Sequence, residues 1–166
     1  MQDLAGRGLV PGSLDTHNPG MGRGPVAGAA LGMVLLALGA PWLAASHPAY
    51  ALAIRDFFSG LCHQNPARSF TIGGSPVAVC VRCLGIYGGV AAGAVLSRWL
   101  RSQSSVALRC FLAGLLLNGA DVATEALHLH GNLPLERFFL GALLGVATGV
   151  LLTMPFGRAP ARIRAL

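Results

Sequence analysis

The chain has 166 residues, of which 54% are hydrophobic and only 11% charged, with a mean hydropathy of +0.62 and a net charge of +6. Ordinary soluble domains carry about a quarter charged residues, so this balance excludes a soluble globular enzyme and points to lipid as the solvent. The basic groups are all arginine, twelve against six acids, and they lie in short flanks between apolar runs. That is the pattern of membrane topology and not of a nucleic-acid surface.

Residues 1–25 are rich in Gly and Pro without apolar periodicity and are expected to form a disordered tail. The first apolar run, 26–45, is long enough at about 1.5 Å per residue to cross a hydrocarbon core of about 30 Å, with Pro41 near its far end. Residues 46–77 break the pattern with Pro48, Pro66, Gly73, Gly74 and Pro76 and read as a loop outside the membrane. Within it, 50–61 places Ile54, Phe57, Phe58 and Leu61 on one side of a short interfacial helix. Three further spans are expected at about 79–100, 106–127 and 135–156, and residues 157–166 form a basic tail. The sequence therefore predicts an all-α, integral membrane four-helix bundle with a Cys/His-containing outer loop.

Four spans place both termini and the 101–105 loop on one side, together with Arg7, Arg23, Arg98, Arg101, Arg109, Arg158, Arg162 and Arg164. Arg-rich flanks are retained in the cytoplasm, so the expected location is the cell (inner) membrane, with cytoplasmic termini and the cysteine loop outside, where disulfides persist.

The chemistry is concentrated between Cys62 and Gly89, which holds three of the four cysteines. Cys80 and Cys83 are three apart at the start of a helix, which puts both thiols on one face beside free backbone N–H groups that favour thiolates. A metal reading takes Cys62, His63, Cys80 and Cys83, with His128 or His130 from the other outer loop, as donors for Zn or another soft-ligand divalent metal. A redox reading makes Cys80 and Cys83 a reversible disulfide that Cys62 attacks, with quinone or a thiol protein as partner. A structural disulfide and small-solute transport are the remaining alternatives. Cys110, near the opposite end of its span, reads as a small hydrophobe.

The spans also carry a buried charge pattern. Gly114, Asn118, Asp121, Glu125 and His128 form one stripe on the third span, and carboxylates in such a place face the bundle interior with partners. Arg82, Gly85, Gly89 and Gly93 share a face of the second span, and Arg137, Gly141, Gly145 and Gly149 a face of the fourth, so Arg82, Asp121, Glu125 and Arg137 are expected at one level. Small residues four apart allow close helix approach, within the chain or between copies in a homo-oligomer. Gly85 to Leu96 and Gly141 to Leu152 both read Gly-x3-Gly-Val-Ala-x-Gly-x2-Leu, consistent with a duplicated two-helix unit or with chance in a chain rich in Gly, Ala and Val.

The pattern Cys62-His63-Gln64, Pro66, Arg68-Ser69-Phe70, Pro76, Cys80-x-Arg82-Cys83-x-Gly85-x-Tyr87-x-Gly89 resembles the signature of the DUF2085 family of predicted membrane proteins. A looser likeness continues through Asp121, Asn132, Arg137, Gly141 and Gly145. The resemblance implies a membrane protein and a set of positions, and it brings no mechanism with it.

Overall fold

A computed structural model of the chain describes residues 22–99, 104–127 and 133–154. The expected terminal tails lie almost wholly outside these residues, as do His128, His130 and Asn132. The fold is all-α, with five α-helices among the described residues: α1 (Arg23–Ser46), α2 (Pro48–Ser59), α3 (Val81–Leu96), α4 (Ser104–Ala126) and α5 (Pro134–Thr153). α1, α4 and α5 are long and apolar enough to cross a membrane, and α3 is a shorter apolar helix.

The helices pack as a row, α1 on α3, α3 on α5 and α5 on α4, with α3 and α5 in the most extensive contact. Glycine explains why. A Cβ at Gly85, Gly89 or Gly93 would collide with the backbone carbonyl of Phe138, Ala142 or Val146, and one at Gly141, Gly145 or Gly149 with that of Arg82, Ile86 or Val90. The two helices touch backbone to backbone, so the glycine faces are covered by each other within the chain. The contacts are also reciprocal at a constant offset in sequence, as the shared Gly-Val-Ala-x-Gly pattern requires of two similar helices packed about a local two-fold axis.

α4 joins this pair through its polar stripe. Gly114 lies against Leu144, and the buried Asn118 amide donates to the carbonyls of Gly114 at 2.8 Å and Leu140 at 3.0 Å, which links α4 to α5. At the far end, Arg23 Nε donates to Ser97 Oγ at 3.0 Å and fastens the start of α1 to the end of α3.

The predicted second span of 79–100 is shorter as a helix, sixteen residues or about 24 Å. Non-helical backbone makes up part of the difference. Pro41 lacks the N–H that would bond the carbonyl of Ala37 within α1, and the N–H of Ala78 takes its place at 3.3 Å. Ala37 stands nine residues before the end of α1, so this contact lies about 13 Å in from that helix terminus. Val77, Ala78 and Val79 are all but inaccessible and pack with Ala37, Ala40, Phe58 and Leu84. Irregular backbone at such a depth is tolerable when buried in protein, as it is here.

The rest of the loop is built to hold this segment in. α2 delivers Phe58, fully buried, onto Tyr87. A two-stranded hairpin, β1 (Thr71–Ile72) with β2 (Ser75–Pro76), turns through Gly73 and Gly74 at φ 57° and 80°, the positive values that a two-residue hairpin turn demands. Arg55 of α2 donates to the Pro76 carbonyl at 3.1 Å, and Val77 N–H to that of Phe70 at 2.8 Å.

Candidate functional site: a three-thiol cluster beside an arginine-carboxylate network

The segment that enters the bundle ends at Cys80, which becomes the N-cap residue of α3 and places Cys83 in its first turn. Cys62 arrives from the end of α2 and is buried in the same small core. The Sγ atoms of Cys62, Cys80 and Cys83 lie within 4.8 Å of one another. Two backbone N–H groups point at the Cys62 sulfur, from Cys80 at 3.2 Å and from Gln64 at 3.4 Å. The Cys80 and Cys83 thiols, with these N–H groups, hold Cys62 well below the ordinary thiol range and so favour its thiolate. Gln64 sits at φ 51°, a left-handed conformation uncommon for a residue with a side chain, and its own side chain donates to the Arg55 carbonyl.

Next to the thiols stands a chain of five charges. Arg82 is paired with Asp121, and Arg137 reaches Asp121 at 3.7 Å and Glu125 at 3.0 Å. Arg68, from the 3-10 turn Pro66–Arg68 in the loop, closes the chain on Glu125 at 2.7 Å. The Arg137 and Asp121 side chains are 4% and 6% exposed, whereas Arg68 is 46% exposed, so the network runs from the bundle interior to its surface. Helical periodicity alone brings four of these residues together. Arg68 is absent from that set because a loop has no periodicity to point its side chain.

Thiols and charges share one cavity of about 370 Å3, bordered by Cys62, Cys80, Cys83, Arg68, Arg82 and Glu125, with His63 and Arg137 also at its wall. His63 is exposed, and its ring is not part of the thiol cluster. His128 and His130 fall outside the described residues, and Cys110 is exposed on α4, in the half of that helix away from Asp121. Three thiolates converging on a point are a suitable donor set for a soft divalent ion. A tetrahedral zinc site, with bonds of about 2.3 Å, sets its sulfurs about 3.8 Å apart, so these would close by no more than about 1 Å.

Fold and site together define a helical membrane protein with a cysteine cluster at one end of its bundle. Residues 62–151, more than half of the chain, match the family of predicted membrane proteins DUF2085, and the chain belongs to that family. The matched region begins at Cys62 itself and takes in the second half of the loop, α3, α4 and most of α5. An uncharacterised protein of Methanocaldococcus jannaschii is 32% identical over 98 residues, which span 57% of this chain and 63% of that relative. No solved structure matches the chain.

Proposed function

We propose that the protein binds a divalent metal ion in the membrane through Cys62, Cys80 and Cys83, with a zinc-like ion as the fitting occupant. The convergence of three sulfurs from two separate segments carries this reading. A disulfide needs only two, and a thiol that attacks a partner protein needs access, which the buried Cys62 lacks. Charge supports it too. Arg68, Arg82 and Arg137 against Asp121 and Glu125 leave one net positive charge, and a divalent ion with three thiolates carries one net negative charge. Neutrality of the whole matters where the surroundings are apolar. His63, at the wall of the cavity, is one candidate for a fourth donor, with His128 or His130 as the alternatives.

The second reading is a thiol-disulfide relay. It is favoured by Cys80 and Cys83 at the start of a helix with a third thiol in contact, an arrangement that would also pass electrons to quinone or a thiol partner. Metal analysis of protein purified under reducing conditions, with a free-thiol count, separates the two. Metal binding predicts one ion per chain, lost in Cys62→Ser, Cys80→Ser and Cys83→Ser alike; a relay predicts no ion and trapped mixed disulfides in the single mutants.

The membrane-embedded unit comprises residues 26–156, and the arginine distribution supports a cell-membrane location with cytoplasmic termini and the cysteine loop outside. An impermeant thiol reagent on intact cells should label a single cysteine at position 75 and spare one at position 104. The reverse pattern would place the cluster in the reducing compartment.

A further inference from the structure

The end of the bundle away from the cysteines carries a different arrangement. An apolar cavity of about 520 Å3 lies between α1 and α3, where the small side chains of Ala27, Gly28, Ala91 and Ala92 leave space flanked by Leu31 and Val95. It runs into a second cavity of about 360 Å3 bordered by Arg23, Gly24 and Arg98, and Ala27 and Val95 belong to both. The two form one groove, apolar along the helices and basic at its end.

Among the described residues no acid stands at the basic end. The acids among the described residues are Asp56, Asp121, Glu125 and Glu136, and all of them stand in the cysteine half of the molecule. Arg23 is held on α3 by its bond to Ser97 Oγ, and Arg98 lies over the Trp99 ring at 4.6 Å. An arginine against an exposed tryptophan at a helix end is a membrane-interface pair, which sets the groove's mouth at headgroup depth. The first turn of α1 adds N–H groups without a side-chain cap and holds no acidic residue, so its partial positive charge adds to that of the arginines.

We propose that this groove binds one anionic phospholipid, its phosphate held by Arg23 and Arg98 and an acyl chain lying between α1 and α3. The charge at the mouth selects the headgroup, and the apolar length behind it requires that the anion be attached to a hydrocarbon chain. Arginines that serve only to retain a flank in the cytoplasm need no groove beside them.

The test uses the full-length protein in neutral detergent, with phosphatidylglycerol and phosphatidylcholine of identical chains titrated by native mass spectrometry. At about 1 kcal/mol per arginine, the anionic lipid should be preferred about thirty-fold. Arg98→Gln, at an exposed position, should lower that preference about five-fold. Gly28→Leu sets a bulky side chain into the groove from a position where an added Cβ has nothing within 4 Å, and it should weaken both lipids. Soluble glycerol phosphate should not compete. Equal binding of the two lipids, a preference untouched by Arg98→Gln, binding untouched by Gly28→Leu, or competition by glycerol phosphate would each overturn the proposal.

Discussion

Asp121→Asn should be the most damaging single change in the charge network, and the arithmetic of the five residues says why. Arg82 and Arg137 both converge on Asp121, whose side chain is 6% exposed, while Glu125 is shared by Arg137 and Arg68. Removing the Asp121 charge leaves three arginines against one carboxylate, so the network rises from one net positive charge to two, with its most buried arginine deprived of one anion. Breaking a buried pair from one side costs about 3–5 kcal/mol, and the upper part of that range applies because two cations lose a partner at once. Arg137→Gln takes the network to zero net charge and leaves Arg82 on Asp121 and Arg68 on Glu125, so it should cost less, about 2 kcal/mol, mostly as unsatisfied acceptors. The double mutant returns to one net positive charge and should be more stable than the sum of the singles by at least about 1 kcal/mol. Reversible unfolding in mixed detergent micelles, followed by circular dichroism, measures all three. Additive losses, or an Arg137→Gln variant weaker than Asp121→Asn, would refute the shared-anion reasoning.

Three other perturbations follow from the packing and the site. Gly89→Ala sets a methyl group against the backbone of Ala142 and Val146, neither of which can move aside, and should cost about 2 kcal/mol or more; Gly119→Ala on the open face of α4 should stay within about 0.5 kcal/mol in the same unfolding assay. Pro41→Ala restores the helical bond to the Ala37 carbonyl and displaces Ala78, so α1 should become more stable while metal affinity falls, two opposite effects that calorimetry and metal titration read separately. Cys62 has its thiol pKa lowered in the folded chain, so the unfolded chain binds more protons above the folded value: stability of the reduced, metal-free protein should rise with pH up to the ordinary thiol range, by at most about 1.4 kcal/mol per unit, and be lost as pH falls. Cys62→Ser should flatten that dependence, and an unchanged slope would show that Cys62 is not the titrating group.

Much of this architecture could be read in the residues, for reasons that particular positions make plain. The glycines of α3 and α5 recur every four residues, so their faces and mutual approach follow from helical geometry, and the same geometry put Asp121, Glu125, Arg82 and Arg137 at one level. The break at Pro76 and the apolar run behind it put Cys80 and Cys83 at the start of a helix, and Cys80 is its N-cap. What could not be read is the depth of Val77–Val79. That depends on one carbonyl left open by Pro41, forty residues away in the chain, and a proline in a helix announces a kink more readily than an acceptor for a distant N–H. Arg68 and Gln64 escaped for a related reason, since their roles come from loop conformation and not from a repeating face. The apolar pattern of 79–100 does not mark where α3 begins, because helical and non-helical backbone are equally hydrophobic when both are buried.

Cobalt substitution tests the central claim most directly, because thiolate-to-cobalt charge-transfer absorption reports how many sulfurs hold the ion. The reduced full-length protein should take up one cobalt ion per chain in a tetrahedral site, with absorption appropriate to three thiolates, lost with the ion in each of Cys62→Ser, Cys80→Ser and Cys83→Ser and unchanged in Cys110→Ser. A reduced protein that takes up no cobalt, or one whose charge-transfer band survives undiminished in any of the three cluster mutants, would contradict the assignment of these cysteines as a metal site.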